Sequence, residues 1–434
     1  MAGEWRNVAL EDVAADVTVG HVGPMASEYV EQGIPFLRSQ NVEPLRINET
    51  DLKFITNEFH SRLKKSALTP GDVVIVRTGK PGTCAVIPRT LPVANCSDLV
   101  VVRCGPELDS RFLAYYVNSV AAHHVNSHLV GAVQQHFNVG SARTMVMRLP
   151  NLSEQRAIVH ILGTLDDKIE LNRRMSDTLE ALARTLFKSW FVDFDPVHAK
   201  AERRDPGLPK PVGDLFPSRF VDSELGQVPE GWGVGNLCEV VEQLRDQENP
   251  LSSVAALFHH FSIPAFDEGQ TPKAEYGESI KSVKFRVPPG VILLSKLNPE
   301  IERVWMVDVR PGERAVCSTE FLALRARAQF TRSYVYCLTR SPVFRQQIEG
   351  LVTGTSKSHQ RAQVDSILNL AAVLPPSSVV AAFDRAADCL LARTLECRRE
   401  SRDLFSLREA LLPKLISGEL RVKDAEKIAQ QTAL

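Results

Sequence analysis

The sequence predicts an α+β chain of two similar modules, each followed by one long helix, with the helices paired as an antiparallel coiled coil. Two observations predict this. First, three segments recur in the same order. WRNVALEDVA (5–14) returns as WGVGNLCEVV (232–241), and LTPGDVVIV (68–76) returns as VPPGVILLS (287–295). RLPNLSEQRAIVHIL (148–162) returns as VLPPSSVVAAFD (373–384). The offset is roughly 220–227 residues, which marks a long-period duplication. Second, each copy ends in a long run with apolar residues at 3,4 spacing, and a lone helix of that kind needs a partner along its length.

Taken in order, residues 1–150 hold short β-rich runs at 33–37, 72–77, 83–88 and 99–104, punctuated by Gly, Pro and Asn. A helical stretch at 110–125 interrupts them, which favours an α+β module over an all-β sandwich. The first long helix is expected over 151–192, within a spacer of 151–195. Its seam is Ile158, Leu162, Leu165, Ile169, Leu179, Ala183, Leu186 and Trp190, with polar Asn172 and Ser176 in the middle. Asn151 and Glu154 form a capping box, and about 40 residues give ~60 Å of helix. Residues 196–229 contain Pro196, Pro206, Pro209, Pro211, Pro217 and Pro229, so an extended linker is expected.

The second α+β module spans 230–375, with strands expected within 285–295 and 320–327. The second long helix is expected over 377–417, within a spacer of 376–420, and a tail follows at 421–434. Its seam is Phe383, Ala387, Leu390, Thr394, Cys397, Ser401, Leu404, Leu411 and Leu415. Gly418 is its expected stop, with Lys414 in the last turn. A duplicated module–helix pair implies a pseudo-two-fold repeat, and that makes the coiled coil antiparallel.

Composition narrows the function classes. With 44% hydrophobic and 24% charged residues the chain is an ordinary globular one, and a net charge of −1 argues against one large basic face. Eight cysteines without a CxxC pair are expected as reduced thiols in the cytoplasm. The first residues lack the apolar core of a signal peptide, and no apolar run reaches ~18–20 residues, so no membrane partner is expected. RTGKPGT (77–83) fails as a phosphate loop because Pro81 stands where Ser or Thr would hold magnesium. His123, His124 and His128, and HHFS at 259–262, lack a carboxylate at ligand spacing, so no metal is expected. Neither GxGxxG after a strand nor GxSxG occurs, so no catalytic residue is expected.

The phrases GIPFLRSQNV (33–42), LTPGDVVIVRTG (68–79), LPNLSEQRAIVHIL (149–162), LFKSWFVDFDP (186–196) and EALLPKLISGEL (409–420) carry a family resemblance. Together they resemble the specificity (S) subunit of a type I restriction–modification system, over nearly the whole chain. The resemblance implies two target recognition domains, 1–150 and 230–375, each reading one half of a split sequence in double-stranded DNA. It implies helices that space the readers and dock methyltransferase (M) subunits, with restriction/translocase (R) subunits completing the complex. This chain is then non-catalytic and holds no cofactor, while the complex uses S-adenosylmethionine, ATP and Mg. The chain departs from the pattern at PPSSVVAAF, which lacks the Glu-Gln of the first helix start. It departs again at SIPAFDEGQ (262–270), which aligns poorly with FLRSQNV.

Base reading needs donors and acceptors on loops beside strands: Arg for guanine, Asn or Gln for adenine. In the first module the candidates are Arg38, Ser39, Gln40, Asn41, Arg77, Thr78, Lys80, Gln134, Gln135 and His136. In the second they are Lys296, Asn298, Ser356, Lys357, Ser358, His359 and Arg361. Trp190, Phe191 and Phe194, at the first helix end, are candidates for a partner interface, and equally for a cap on the chain's own core. A second reading stays open: a non-enzymatic coiled-coil scaffold joining two protein-binding modules, which near-zero net charge favours.

Overall fold

The computed structural model describes residues 5–127, 137–351 and 360–432. The chain forms two units, residues 1–170 with 403–434, and residues 171–402. Each holds one α+β module with part of both long helices.

In the first unit the strands are β1 (Arg6–Ala9), β2 (Ala14–Val19), β3 (Ile34–Leu37), β4 (Lys53–Ile55), β5 (Ala67–Leu68), β6 (Val73–Val76), β7 (Cys84–Val86), β8 (Ala94–Cys96) and β9 (Leu99–Cys104). Helix α1 (Ser110–Ser127), strand β10 (Val146–Leu149) and the long helix α2 (Leu152–Phe191) follow. One sheet runs β7-β6-β9-β2, all antiparallel. The other runs from the short strand Tyr29–Val30 through β4, β3, β8 and β5, with β3 and β8 parallel. Strand β1 pairs with β10 and closes the module just before α2.

The run VVIV of β6 is apolar at every position because its sheet is covered on both faces. Val73 and Ile75 pack with Phe112 and Leu113 of α1, while Val74 and Val76 pack with Leu37, Leu68 and Cys96.

The second unit repeats this plan. Its strands are β11 (Gly233–Asn236), β12 (Val241–Leu244), β13 (Leu257–Phe261), β14 (Lys273–Tyr276), β15 (Lys284–Arg286), β16 (Ile292–Ser295), β17 (Val304–Met306), β18 (Ala315–Cys317) and β19 (Phe321–Ala326). Helix α3 (Arg332–Thr339), strand β20 (Ala371–Leu374), the long helix α4 (Ser377–Ser417) and α5 (Val422–Thr432) follow. Residues of α4 from Asp403 onward, and α5, belong to the first unit. The four-stranded order β17-β16-β19-β12 matches β7-β6-β9-β2, and parallel β13/β18 matches β3/β8. Strands β11 and β20 repeat the closing pair β1/β10. The turns before β6 and β16 also match. Gly71 and Gly290, each after a proline, take φ of 96° and 82°, a region that costs any other residue strain.

The two long helices are antiparallel in both units. In the first, Ile158, Leu162 and Leu165 of α2 share a core with Leu404, Leu411 and Leu415 of α4. In the second, Ala183, Phe187 and Trp190 share one with Phe383, Ala387 and Leu391. The middle is polar, as the sequence pattern predicts. Asn172 donates to Glu400 at 2.9 Å, and Arg398 donates to Glu180 at 2.7 Å. The buried stripe is wider than a coiled-coil seam. Phe187, Leu391 and Leu395 are buried, whereas Leu179, Leu186 and Leu390 are only half-buried, because the module also packs on the helix flank.

Helix α2 starts under a latch. The Asn151 side chain accepts from Glu154 N at 3.0 Å, which forms one half of the expected capping box. Buried Gln155 supplies the rest: its Nε2 donates to Glu107 O and Pro150 O, both at 2.9 Å, and its Oε1 accepts from Asp109 N at 2.9 Å. At the matching position of α4 stands Val380, buried among apolar neighbours, so that start is held by packing. Gln155→Ala should cost about 2–3 kcal/mol, because three backbone groups lose their partner. Chemical denaturation of the full chain checks this, and a change below about 0.5 kcal/mol would show that water replaces the amide.

Two expectations need correction. Residues 196–229 are not an extended linker. A helix spans Asp195–Ala201 with Pro196 in its first turn, where proline is tolerated. Phe220–Ser223 pairs with Gly226–Pro229, and Val197 and Phe216 are buried in the second unit's core. Trp190, Phe191 and Phe194 pack on the chain's own core, with Phe194 half-buried at its edge. Trp190 and Phe191 are buried in that same core, and Trp232 packs on Phe191 and Phe194 at centroid distances of 5.8 and 5.7 Å. Trp5 plays the corresponding part in the first unit, where Arg148 lies 5.7 Å from its ring and donates to Ser417 O at the end of α4.

Candidate nucleic-acid interface

The polar loops gather at corresponding strand ends in the two modules. In the first, the chain leaves β3 at Leu37, whose carbonyl accepts from Ser97 N at 2.9 Å. Arg38 follows, then a 3-10 turn over Ser39–Asn41. Arg38 Nη2 donates to the backbone oxygen of Asp51 at 2.6 Å and to its carboxylate at 3.0 Å. Gln40 Nε2 donates to the same carboxylate oxygen at 2.9 Å. Arg38, through its hydrogen bond, holds the Asp51 carboxyl below its ordinary range, with Lys53 adding to the effect.

Asn41 is buried and serves the turn itself. Its Oδ1 accepts from Arg38 N at 3.0 Å and its Nδ2 donates to Asn48 O at 3.2 Å. Ser39 is half-buried beside it.

The second candidate segment, Arg77–Lys80, ends β6 and turns into β7. Leu45 N donates to Cys84 O at 2.8 Å, which sets the Arg38–Asn48 loop against β7. Arg77 is paired with Asp98, while Lys80 is exposed and Thr78 half-buried. Glu43 is held below its ordinary range chiefly by its hydrogen bond from Arg46, with a smaller contribution from Lys80. Gln134, Gln135 and His136 lie outside the described residues. Phe137, which follows them, donates to Arg77 O at 3.3 Å, so the third segment ends at the second.

The second module repeats that last bond: Ala362 N donates to Lys296 O at 3.0 Å. Asn298 N donates to Gln360 O at 2.8 Å, and Asn298 takes a left-handed φ of 46°. Arg361 binds Glu320 through two nitrogens at 2.9 and 3.1 Å. Lys296, Asn298 and Arg361 are therefore neighbours. Ser356, Lys357, Ser358 and His359 lie outside the described residues.

Residues 262–270 are the topological counterpart of 38–41. The chain leaves β13 at Phe261, whose carbonyl accepts from Ser318 N at 3.0 Å, as Leu37 does from Ser97. A one-turn helix, Ile263–Asp267, replaces the 3-10 turn. Its Asp267 grips Arg303 bidentately at 2.7 and 2.9 Å, tying the segment to the loop between β16 and β17. Sequence matching misses this equivalence because the two exits share a strand register (Leu37 opposite Cys96, Phe261 opposite Cys317) and no side-chain pattern.

Asp51, Asp267 and Arg303 are thus polar residues that no sequence motif marks. So are Arg62, Lys64 and Lys65, an exposed basic run that is legible as SRLKK in the sequence. Among the described residues no cluster of His, Cys, Asp and Glu is arranged to hold a metal ion. No described helix is long and apolar enough to cross a membrane.

These features define a duplicated protein with two α+β modules, each presenting converging polar loops, and two long antiparallel helices. Residues 3–181 match the family model described as Type I restriction modification DNA specificity domain. In sequence the chain is similar to the HindI specificity subunit of Haemophilus influenzae, 21% identical over 330 residues that cover 64% of this chain and 70% of the relative. It is also similar to the MjaIX specificity subunit of Methanocaldococcus jannaschii, 23% identical over 283 residues that cover 63% of this chain and 60% of the relative. In fold it is similar to the type I restriction–modification S subunit from M. genitalium, with a TM-score of 0.58 and 11% identity over 95% of this chain and 96% of that one. The resemblance of the chain to type I specificity subunits therefore holds, carried by residues 3–181 and by these relatives.

Proposed function

We infer that this chain is the non-catalytic sequence-reading subunit of a type I restriction–modification complex in the cytoplasm. Each module reads one half of a bipartite site in double-stranded DNA. The outward faces of α2 and α4 dock methyltransferase subunits, and restriction/translocase subunits join through them. S-adenosylmethionine, ATP and Mg are held by those partners.

One observation carries the reading. The two modules keep the same order in the four-stranded sheet and in four strands of the larger one, and repeat the bond from Phe137 to Arg77 as that from Ala362 to Lys296, yet they differ in the polar residues that frame presents. A common scaffold with different side chains at the same strand ends suits a reader of two different half-sites. Helices α2 and α4, of 40 and 41 residues and ~60 Å each at 1.5 Å per residue, suit the spacer role this reading gives them. Near-zero net charge leaves phosphate attraction to local groups such as Arg62, Lys64 and Lys65.

Exchanging residues 1–150 for those of another specificity subunit should change one half of the methylated motif and leave the other half and the spacing intact. Methylome sequencing of the host strain reads the outcome. A motif unchanged in both halves, in cells that still methylate, would sink the reading; a scaffold would leave no split motif to lose.

A further inference from the structure

We propose that Asp51 is a positioning residue that presents Arg38 and Gln40 as one unit to base edges in the half-site read by the first module. The proposal rests on the reading above and adds to it a specific device. Asp51 adopts a left-handed φ of 55° and offers both its carbonyl and its carboxylate to one guanidinium. A free arginine side chain has many rotamers, so ordering it on DNA costs conformational entropy. Here two acceptors engage the same nitrogen, Nη2. Among the described residues Nη1 has no partner, and Nε is buried without one. Nη1 is therefore the donor left for a base edge, and it suits one hydrogen bond to O6 or N7 of guanine.

The same carboxylate oxygen fixes Gln40, whose amide is exposed and keeps its oxygen as an acceptor. An amide with one donor and one acceptor suits adenine. Lys53 lies 3.6 Å from the other carboxylate oxygen and balances its charge. Arg38 is 21% exposed and Asp51 61% exposed, so the carboxylate lies at the surface and its role is in aiming the neighbouring groups. In the second module the corresponding carboxylate, Asp267, holds an arginine that is only 8% exposed, so there the same chemistry ties the loop down. The two modules would then differ in which groups they present.

The test is equilibrium binding by the complex reconstituted with its methyltransferase partner. The duplexes carry the motif and every single base-pair change in the first module's half-site. D51A should lose about tenfold or more of its discrimination at one or two adjacent positions of that half-site. Affinity for non-specific duplex should stay or tighten, because a carboxylate near phosphates has gone. D51N keeps an acceptor for Gln40 and should lose less. In an R38A background D51A should add little at the position Arg38 reads, which a merely structural role would not produce. An unchanged preference profile, or an equal loss on every duplex, overturns the proposal. A wild-type complex that binds without sequence preference instead overturns the functional reading itself, and this proposal with it.

Discussion

Replacing Glu180 with Gln should destabilise residues 171–402 by about 3–5 kcal/mol, the cost of breaking a buried ion pair from one side. Glu180 sits on α2, nearly buried, and receives Arg398 from α4 at 2.7 Å. It also receives Tyr336 and Arg340 from the end of the module that packs on the helices. Burial pushes Arg340 down to about 10, so it remains charged at neutral pH. Glu302 pairs with Arg340 and Arg184, and without Glu180 it would be the one carboxylate left for this cluster among the described residues. The exchange removes the charge while keeping the shape, so packing does not obscure the result. Urea unfolding of the full chain gives the number, and a loss below about 1 kcal/mol would mean that solvent reaches the arginines. Replacing Glu180, Arg340 and Arg398 together by apolar residues should cost far less, because no charge is then stranded.

Phe187→Ala should cost about 3–5 kcal/mol through the cavity it leaves. The ring is 2% exposed and lies 4.9 Å from Phe191, 5.3 Å from Tyr334 and 5.7 Å from Phe383, centroid to centroid. It therefore joins α2, α3 and α4 in one aromatic cluster, edge-to-face with Tyr334 and Phe383, and such contacts add to simple burial. Phe187→Leu should recover more than half of the loss, since most of the volume returns. The two variants compared by chemical denaturation decide the point. Equal losses would show that ring geometry dominates, and negligible losses would show that the core closes over the gap.

Much of this fold is legible in the sequence. The long helices span Leu152–Phe191 and Ser377–Ser417, where 3,4 periodicity predicts 151–192 and 377–417. Polar Asn172, Ser176 and Thr394 lie buried mid-seam, as the pattern indicates. The duplication in sequence is a duplication of the four-stranded sheet and of four strands of the larger one. Other features are not legible. SWFVDF reads equally as an exposed aromatic end or as a core plug. Only the arrival of Trp232 and Phe383, distant in sequence, decides for the plug. The prolines of 196–229 forbid helix interiors but permit helix starts, and the buried Val197 and Phe216 settle which applies.

The candidate reading loops divide the same way. The sequence singles out Arg38, Gln40, Arg77 and Lys296 by their chemistry beside strands. It does not single out Asp51, because an aspartate in NETDL resembles any turn carboxylate. By itself, the sequence determined the class of fold, the repeat, the helix limits and the residue types suited to reading bases. Those follow from local periodicity and composition, which act between residues a few positions apart. The tertiary structure decided which arginine stays partly exposed beside its carboxylate, which is buried by it, and that residues 262–270 stand where 38–41 stand. Those depend on strand register and on ion pairs across the fold, such as Asp267 with Arg303, which local spacing does not encode.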